Sequence, residues 1–288
     1  MDRFVRTFLL ACVLVACAEQ RGEMLSTGSR ADTVDMVPDG DPQLDAALEM
    51  VQGDRRNQVL VRELLPTAQT IEVEDPNHHR TKRYLAVPLL PVLLSGLELT
   101  EEQLAKKTLI FEALDGYASP APGDVVRQKG AWLAIDDLDG AGWVSIGEKK
   151  ASPGPLYVVW AGEKRDPKVY PWPWALARVR VASIAEEYAD ASPGENASEL
   201  VRQGHTLFLN QCVRCHAINR AGGRLGPELN VPQSIVEYRP EEQIRAYIRN
   251  PLTFRYGNMP ANPHLGEEDL DALLAYFRVM KDRKLLSR

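Results

Sequence analysis

Apolar positions along this 288-residue chain follow three different rules, and each predicts a different kind of element. Behind Arg3 and Arg6 they form an almost unbroken run from Val5 to Ala16. A bilayer span needs about 20 apolar residues, so the run is too short to cross and suits the h-region of a signal peptide. Residues 18 to about 45 show no apolar period and are rich in Gly, Ser, Asp and Glu, which predicts a flexible segment. Between 55 and 188 the pattern predicts strands: Thr108–Leu114 ending in an Asp115-Gly116 turn, Trp132–Ile135, Leu156–Trp160, and Ala177–Val181 with apolar residues inward and charges outward. A helix over Pro88–Ser95 and a short element opening at Thr100-Glu101-Glu102-Gln103 interrupt them. From Asn196 the period becomes helical. Asn196 and Glu199 open a first helix whose Leu200, Gly204, Leu207 and Phe208 share a face. Pro240 opens a second with Ile244, Tyr247 and Ile248 on its apolar side, ended by Asn250-Pro251. Glu267, Glu268 and Asp269 open a third, and Lys281, Arg283 and Lys284 close it, both in the sense the helix dipole favours. The expected fold is multidomain, an all-α domain following an α+β, strand-rich one. The expected boundaries are a signal peptide at 1–16, a tether at 17–54, the α+β domain at 55–188, a linker at 189–195 and the helical domain at 196–288.

The chemistry is concentrated in Cys212-Val213-Arg214-Cys215-His216. Cys-x-x-Cys-His is the attachment sequence for c-type haem. Two thiols add across the vinyl groups of one porphyrin edge, and the adjacent histidine is placed beneath the iron. Two other readings compete. A zinc ribbon requires a second Cys pair downstream, whereas the remaining cysteines are Cys12 and Cys17, far upstream. A thioredoxin-like dithiol belongs between a strand and a helix, whereas here a helical pattern leads into the motif. Octahedral iron needs a second axial ligand. Met259, 43 residues after His216 and between Asn258 and Pro260, is the candidate, with His264 as its competitor.

Residues 196–288 resemble a class I c-type cytochrome. Gly204 and Phe208 precede the haem loop, Leu225-Gly226-Pro227-Glu228-Leu229 matches the Gly-Pro-x-Leu segment, Asn258-Met259-Pro260 matches the distal ligand loop, and Leu273–Phe277 matches the last helix. The resemblance implies one covalent haem c, held through Cys212 and Cys215. It implies iron ligated by His216 and Met259, and a Pro227 carbonyl that accepts a hydrogen bond from His216. It also implies that the first and last helices cross at Gly204.

Leu14-Val15-Ala16-Cys17 resembles a bacterial lipobox, in which Cys17 is lipidated and becomes the mature N-terminus. Leu9-Leu10-Ala11-Cys12 fits the same short pattern but leaves a very short h-region. Export to the periplasm agrees with haem attachment, which in bacteria occurs outside the cytoplasm. Ala18, where an aspartate would mark inner-membrane retention, favours the outer membrane. A tether of ~28 residues reaches about 30 Å.

Net charge is −6 and unevenly spread. Residues 196–288 hold 13 basic and 10 acidic side chains, net +3, and residues 17–195 hold −10. A basic haem domain suits an acidic partner, the neighbouring domain included. With no basic run and a pI of about 5.5, nucleic-acid binding has no support. Part of the middle region, Leu109 to Ile184, is faintly similar to the molybdopterin-binding domain of the sulfite oxidase family. Asp115-Gly116-Tyr117, Pro153-Gly154-Pro155-Leu156 and the Trp174–Ile184 strand carry the likeness. The cysteine that ligates molybdenum there has no counterpart in this segment. Tyr170-Pro171-Trp172-Pro173-Trp174 reads as a rigid loop over the domain core, and His78-His79 as a solvated loop. The expected function is that of a monohaem c-type cytochrome, an electron carrier without catalytic residues. Its expected partners are redox proteins of the envelope, with the membrane reached through the lipid. The alternative is a haem-bearing subunit or fused domain of a periplasmic oxidoreductase.

Overall fold

Strand β9 (Leu176–Ala182) is the central strand of a five-stranded sheet assembled from distant parts of the chain. The computed structural model describes residues 42–288 apart from 148, 149, 163, 164, 168, 255, 256, 258, 287 and 288. The signal segment and Cys17 lie outside the described residues. On one side β9 runs parallel to β1 (Ala47–Gln52), which pairs antiparallel with β2 (Arg55–Leu60). On the other it pairs antiparallel with β5 (Thr108–Ala113), and β5 with β6 (Ala118–Pro122). A second sheet is antiparallel throughout, in the order β3 (Gln69–Asp75), β4 (Arg80–Pro88), β7 (Ala131–Asp137) and β8 (Tyr157–Trp160). Helix α1 (Leu89–Leu97) contacts β1 and β2 of the first sheet and β7 of the second. Leu89, Leu93 and Leu97, four residues apart, are its buried stripe. Helix α2 (Glu101–Ala105) starts at a full capping box, with Thr100 and Gln103 each bonding the other's backbone N–H.

One expectation changes here, and another is met. The tether does not extend to residue 54, because β1 lies within the sheet with Leu48 and Met50 buried at alternate positions. The Tyr170–Trp174 loop packs inward: Trp160 Nε1 donates to the Pro171 carbonyl at 2.9 Å, and Trp172 and Trp174 lie against the core of the second sheet.

The C-terminal part is built on α3 (Glu199–Leu207), α4 (Glu241–Arg249) and α5 (Glu267–Lys281). Ser198 caps α3 in place of the expected Asn196, its hydroxyl accepting from Val201 N. The α3–α5 crossing passes through Gly204, where a Cβ would lie 2.0 Å from the Ala272 carbonyl oxygen. Phe208, Tyr276 and Phe277 pack their rings beside the crossing. A Gly204→Ala change must push two backbones apart and is expected to cost about 3 kcal/mol, at the upper end for overpacking. Denaturant unfolding of the full chain, followed through this part, checks it.

This part is not purely helical. Ala217–Ile218 and Ala221–Gly222 form a small antiparallel hairpin, with Asn219 and Arg220 at its tip in left-handed conformation, as a two-residue turn requires. The segment expected as a linker, 189–195, is packed rather than free. Ala191 is fully buried in the helical core, and its carbonyl accepts a hydrogen bond from Tyr276 Oη at 2.6 Å.

Candidate metal centre

Helix α3 runs into a π-helical turn, Phe208–Cys212, that delivers the first cysteine. The next residues wrap around the Cys212 carbonyl, which accepts from Cys215 N at 3.1 Å and from His216 N at 2.9 Å. Val213, wholly buried, pins this loop to the core. The returning chain is stitched alongside it: Gly223 N donates to Val213 O, Gly226 N to Cys215 O, and Leu229 N to Ala217 O, all within 2.9 Å. Cys212, Cys215, His216 and Pro227 are thereby brought into one small region.

His216 Nδ1 lies 2.8 Å from the Pro227 carbonyl oxygen. A carbonyl can only accept, so the proton is on Nδ1 and the Nε2 lone pair is the ligating one. Burial lowers the basicity of this imidazole, and the Pro227 carbonyl works in the opposite sense. Lowering favours the neutral ring that a metal needs. Gly226 lies against the ring face. A Cβ there would fall 2.4 Å from His216 Cε1 and 2.8 Å from Nε2, so only glycine leaves the ring its place.

The two thiols are free, not joined in a disulfide. Burial, with a smaller contribution from Cys215, pushes Cys212 up to about 12. Burial and then the Asp115 carboxylate push Cys215 up to about 11. A thioredoxin-like pair needs a lowered thiol, so this environment disfavours that reading. Among the described residues no group of three or more His, Cys, Asp or Glu side chains could hold a metal ion, which disfavours a zinc ribbon.

Met259 is half-buried in the irregular segment between α4 and α5, and His264 is exposed. That segment is tied to α4 by Asn262, whose backbone N–H donates to the Ile248 carbonyl at 3.2 Å, and its Leu265 is buried in the helical core. Glu228 went unnoticed in the sequence as a clamp. Its carboxylate accepts four backbone N–H groups, from Asn219, Arg220, Asn230 and Val231, at 2.9–3.2 Å. Buried Asn230 then bonds Asn219 and the Met280 carbonyl, fixing the hairpin to the end of α5. The only sequence signal for this was the position of Glu228 within the Gly-Pro-x-Leu segment. His78 is half-buried rather than solvated, with burial lowering its basicity, and His79 adopts a left-handed backbone.

Residues 199–277 match the family model described as cytochrome C oxidase, cbb3-type, subunit III. That segment is a cytochrome c-type domain. Two similar curated proteins are both named cytochrome c oxidase subunit 2. The one from Alkalihalophilus pseudofirmus is 37% identical over 103 residues, covering 33% of this chain and 30% of that protein. The one from Bacillus sp. (strain PS3) is 26% identical over 165 residues, covering 52% and 44%. The chain thus spans less than half the length of the curated relatives it matches.

A cytochrome c domain implies haem, and the residues here fit it. The donor set is a thiol pair and an oriented neutral imidazole beside a face that only glycine leaves open. Leu225, Leu252 and Phe254, near the attachment loop and the Met259 loop in sequence, are large apolar side chains exposed by 37–52%. Such side chains suit contact with an apolar macrocycle. Among the described residues no helix is long and apolar enough to cross a membrane.

Proposed function

We propose that the chain is a monohaem c-type cytochrome that carries single electrons in the bacterial cell envelope. The observation that supports this most is the His216 Nδ1–Pro227 carbonyl contact at 2.8 Å, directly after the Cys212/Cys215 pair. Haem c, when bound, supplies a one-electron Fe(III)/Fe(II) couple. In this reading Cys212 and Cys215 hold it through thioethers. His216 Nε2 and the Met259 sulfur ligate iron, and Pro227 fixes the imidazole. With both axial positions taken there is no open coordination site, so the chain transfers electrons rather than transforming a substrate. Lipid on Cys17 and the segment after it anchor the carrier to the periplasmic face of a membrane. The similar proteins are named as oxidase subunits, so membrane-bound respiratory complexes are the partners proposed.

The experiment is chemical. Purified chain should give an alkaline pyridine haemochrome spectrum with one haem per polypeptide, and acidified acetone should leave the pigment on the protein. Pigment that extracts freely, or none at all, would sink the reading. A soft thioether ligand raises the potential relative to two nitrogen ligands. Met259→His should therefore lower the midpoint potential by on the order of 0.2 V, given that axial ligands span about 0.8 V across haem proteins. An unchanged potential would remove Met259 from the iron and turn attention to His264.

A second reading has the sheet domain oxidise a small substrate and pass electrons to the haem of the same chain, as a periplasmic oxidoreductase of molybdoenzyme type would. Its support is the contact between that domain and the attachment loop, where Ala118 N donates to the Arg214 carbonyl at 2.9 Å. Against it, residues 18–211 contain no cysteine to ligate molybdenum. Metal analysis separates the two: iron alone supports the carrier, and stoichiometric molybdenum supports the enzyme.

A further inference from the structure

The turn joining β5 to β6 reaches out of its sheet and bonds the backbone of the attachment loop at two points. Ala118 N donates to the Arg214 carbonyl at 2.9 Å, and Arg224 N donates to the Gly116 carbonyl at 2.7 Å. Arg214 lies inside the Cys-x-x-Cys-His motif, and Arg224 is on the returning chain that Gly223 N ties to Val213 O. One turn therefore grips both arms of the loop. Gly116 makes this possible. Its φ of +91° is left-handed, and a Cβ on it would lie 3.0 Å from the Arg224 carbonyl carbon. Asp115 is also fixed, since its Oδ1 accepts from Tyr117 N at 3.0 Å, an Asx turn that sets the carboxylate. Asp115 thus directly precedes Gly116, whose carbonyl holds Arg224 N, and stands three residues before Ala118, whose N–H holds the Arg214 carbonyl. Beside the joint a cleft of about 250 Å³ is walled by Glu112, Tyr117, Arg178, Arg180 and Arg224. Its floor is stiff: Arg178 is held by Glu49 and Glu112, and Arg180 by Glu112 and Glu187.

We propose that the Asp115–Ala118 turn is a positioning clamp through which the sheet domain holds the attachment loop and places a fixed negative charge beside that loop. The inference rests on the cytochrome reading for its redox consequence, and on backbone geometry for the docking itself. Reduction adds an electron at the iron, so a nearby carboxylate disfavours the reduced state and keeps the potential down. The sheet domain is then a built-in partner of the haem, not a passenger.

The test uses the full haem-loaded chain and two variants. Ala118→Pro removes one donor of the clamp, and the Arg224 and Cys215 region should exchange its amide protons at least tenfold faster, with no change in the exchange of α5. Asp115→Asn keeps the Asx acceptor and removes the charge, and the midpoint potential should rise, the rise shrinking as salt is added. Wild-type exchange in Ala118→Pro would overturn the clamp, and an unchanged potential in Asp115→Asn would overturn the tuning. Exchange needs no iron, so a chain found without haem would defeat the functional reading while leaving the docking measured.

Discussion

With haem held as proposed, Gly226→Val should leave it joined to Cys212 and Cys215 but convert the iron from low-spin to predominantly high-spin. Attachment needs only the local thiols, which this change does not touch. Ligation needs the imidazole where the structure holds it. The first added carbon falls 2.4 Å from Cε1 and 2.8 Å from Nε2. The ring cannot retreat without losing its 2.8 Å contact with the Pro227 carbonyl, the bond that sets both its tautomer and its angle. Moving Gly226 instead would break its 2.7 Å hydrogen bond to the Cys215 carbonyl. Every relaxation therefore damages a contact that orients the ligand, and a branched side chain damages more than one methyl. Gly226→Ala should show a mixture of spin states and Gly226→Val mostly the high-spin form, read from the absorption spectrum and electron paramagnetic resonance. A low-spin spectrum like the wild type in the valine variant would show that the face is softer than the packing implies.

The sequence made the attachment loop legible because its chemistry is local. Two thiols, an imidazole and the Pro227 carbonyl fall within 16 residues, and covalent chemistry sets that order. The helices were readable too, since α5 carries its apolar stripe, its acidic start and its basic end in its own 15 residues. Legibility failed where pairing is long-range. β1 and β9 are parallel neighbours across 129 residues of sequence (Glu49 beside Arg178), and nothing in Ala47–Gln52 alone distinguishes an inner strand from loop. β2, Arg55–Leu60, reads as polar because it is an edge strand with most of its residues in contact with water. The clamp was invisible for another reason. Asp115-Gly116 announced a turn, but both bonds to the haem loop are made by backbone atoms, which leave no signature in residue type. The charge split between the halves of the chain suggested attraction between them. The joint, however, is made by two bonds from peptide to peptide.

The hairpin of β3 and β4 escaped detection because charged residues occupy core positions there, and that same fact makes Lys82 a sensitive position in the sheet domain. Lys82 and Asp137 are both wholly buried, with Nζ 2.6 Å from Oδ1. Asp137 also accepts from Val144 N at 2.9 Å and Asp139 N at 3.1 Å, and the ammonium lies 5.6 Å from the Tyr84 ring centroid. Next to it, buried Asp75 accepts from the Tyr84 and Tyr157 hydroxyls and from Asn77 N. Lys82→Met matches the volume of the lysine stem and strands a carboxylate in a dry core. Breaking one partner of a buried pair costs about 3–5 kcal/mol, because the remaining charge is left uncompensated. The double change Lys82→Met with Asp137→Asn removes that charge but keeps an acceptor for only one of the two backbone donors, which the carboxylate meets on different oxygens, so it should recover part of the loss. All five tryptophans, at 132, 143, 160, 172 and 174, belong to the sheet domain, so urea unfolding followed by their fluorescence reports on it. A Lys82→Met loss below 1 kcal/mol would mean water reaches Asp137. A double variant no better than the single one would mean that Lys82 acts through shape, not charge. The haem band, followed in the same titration, adds a separate measurement: if the Asp115–Ala118 clamp couples the domains, weakening the sheet at Lys82 must also lower the urea concentration at which the attachment loop lets go.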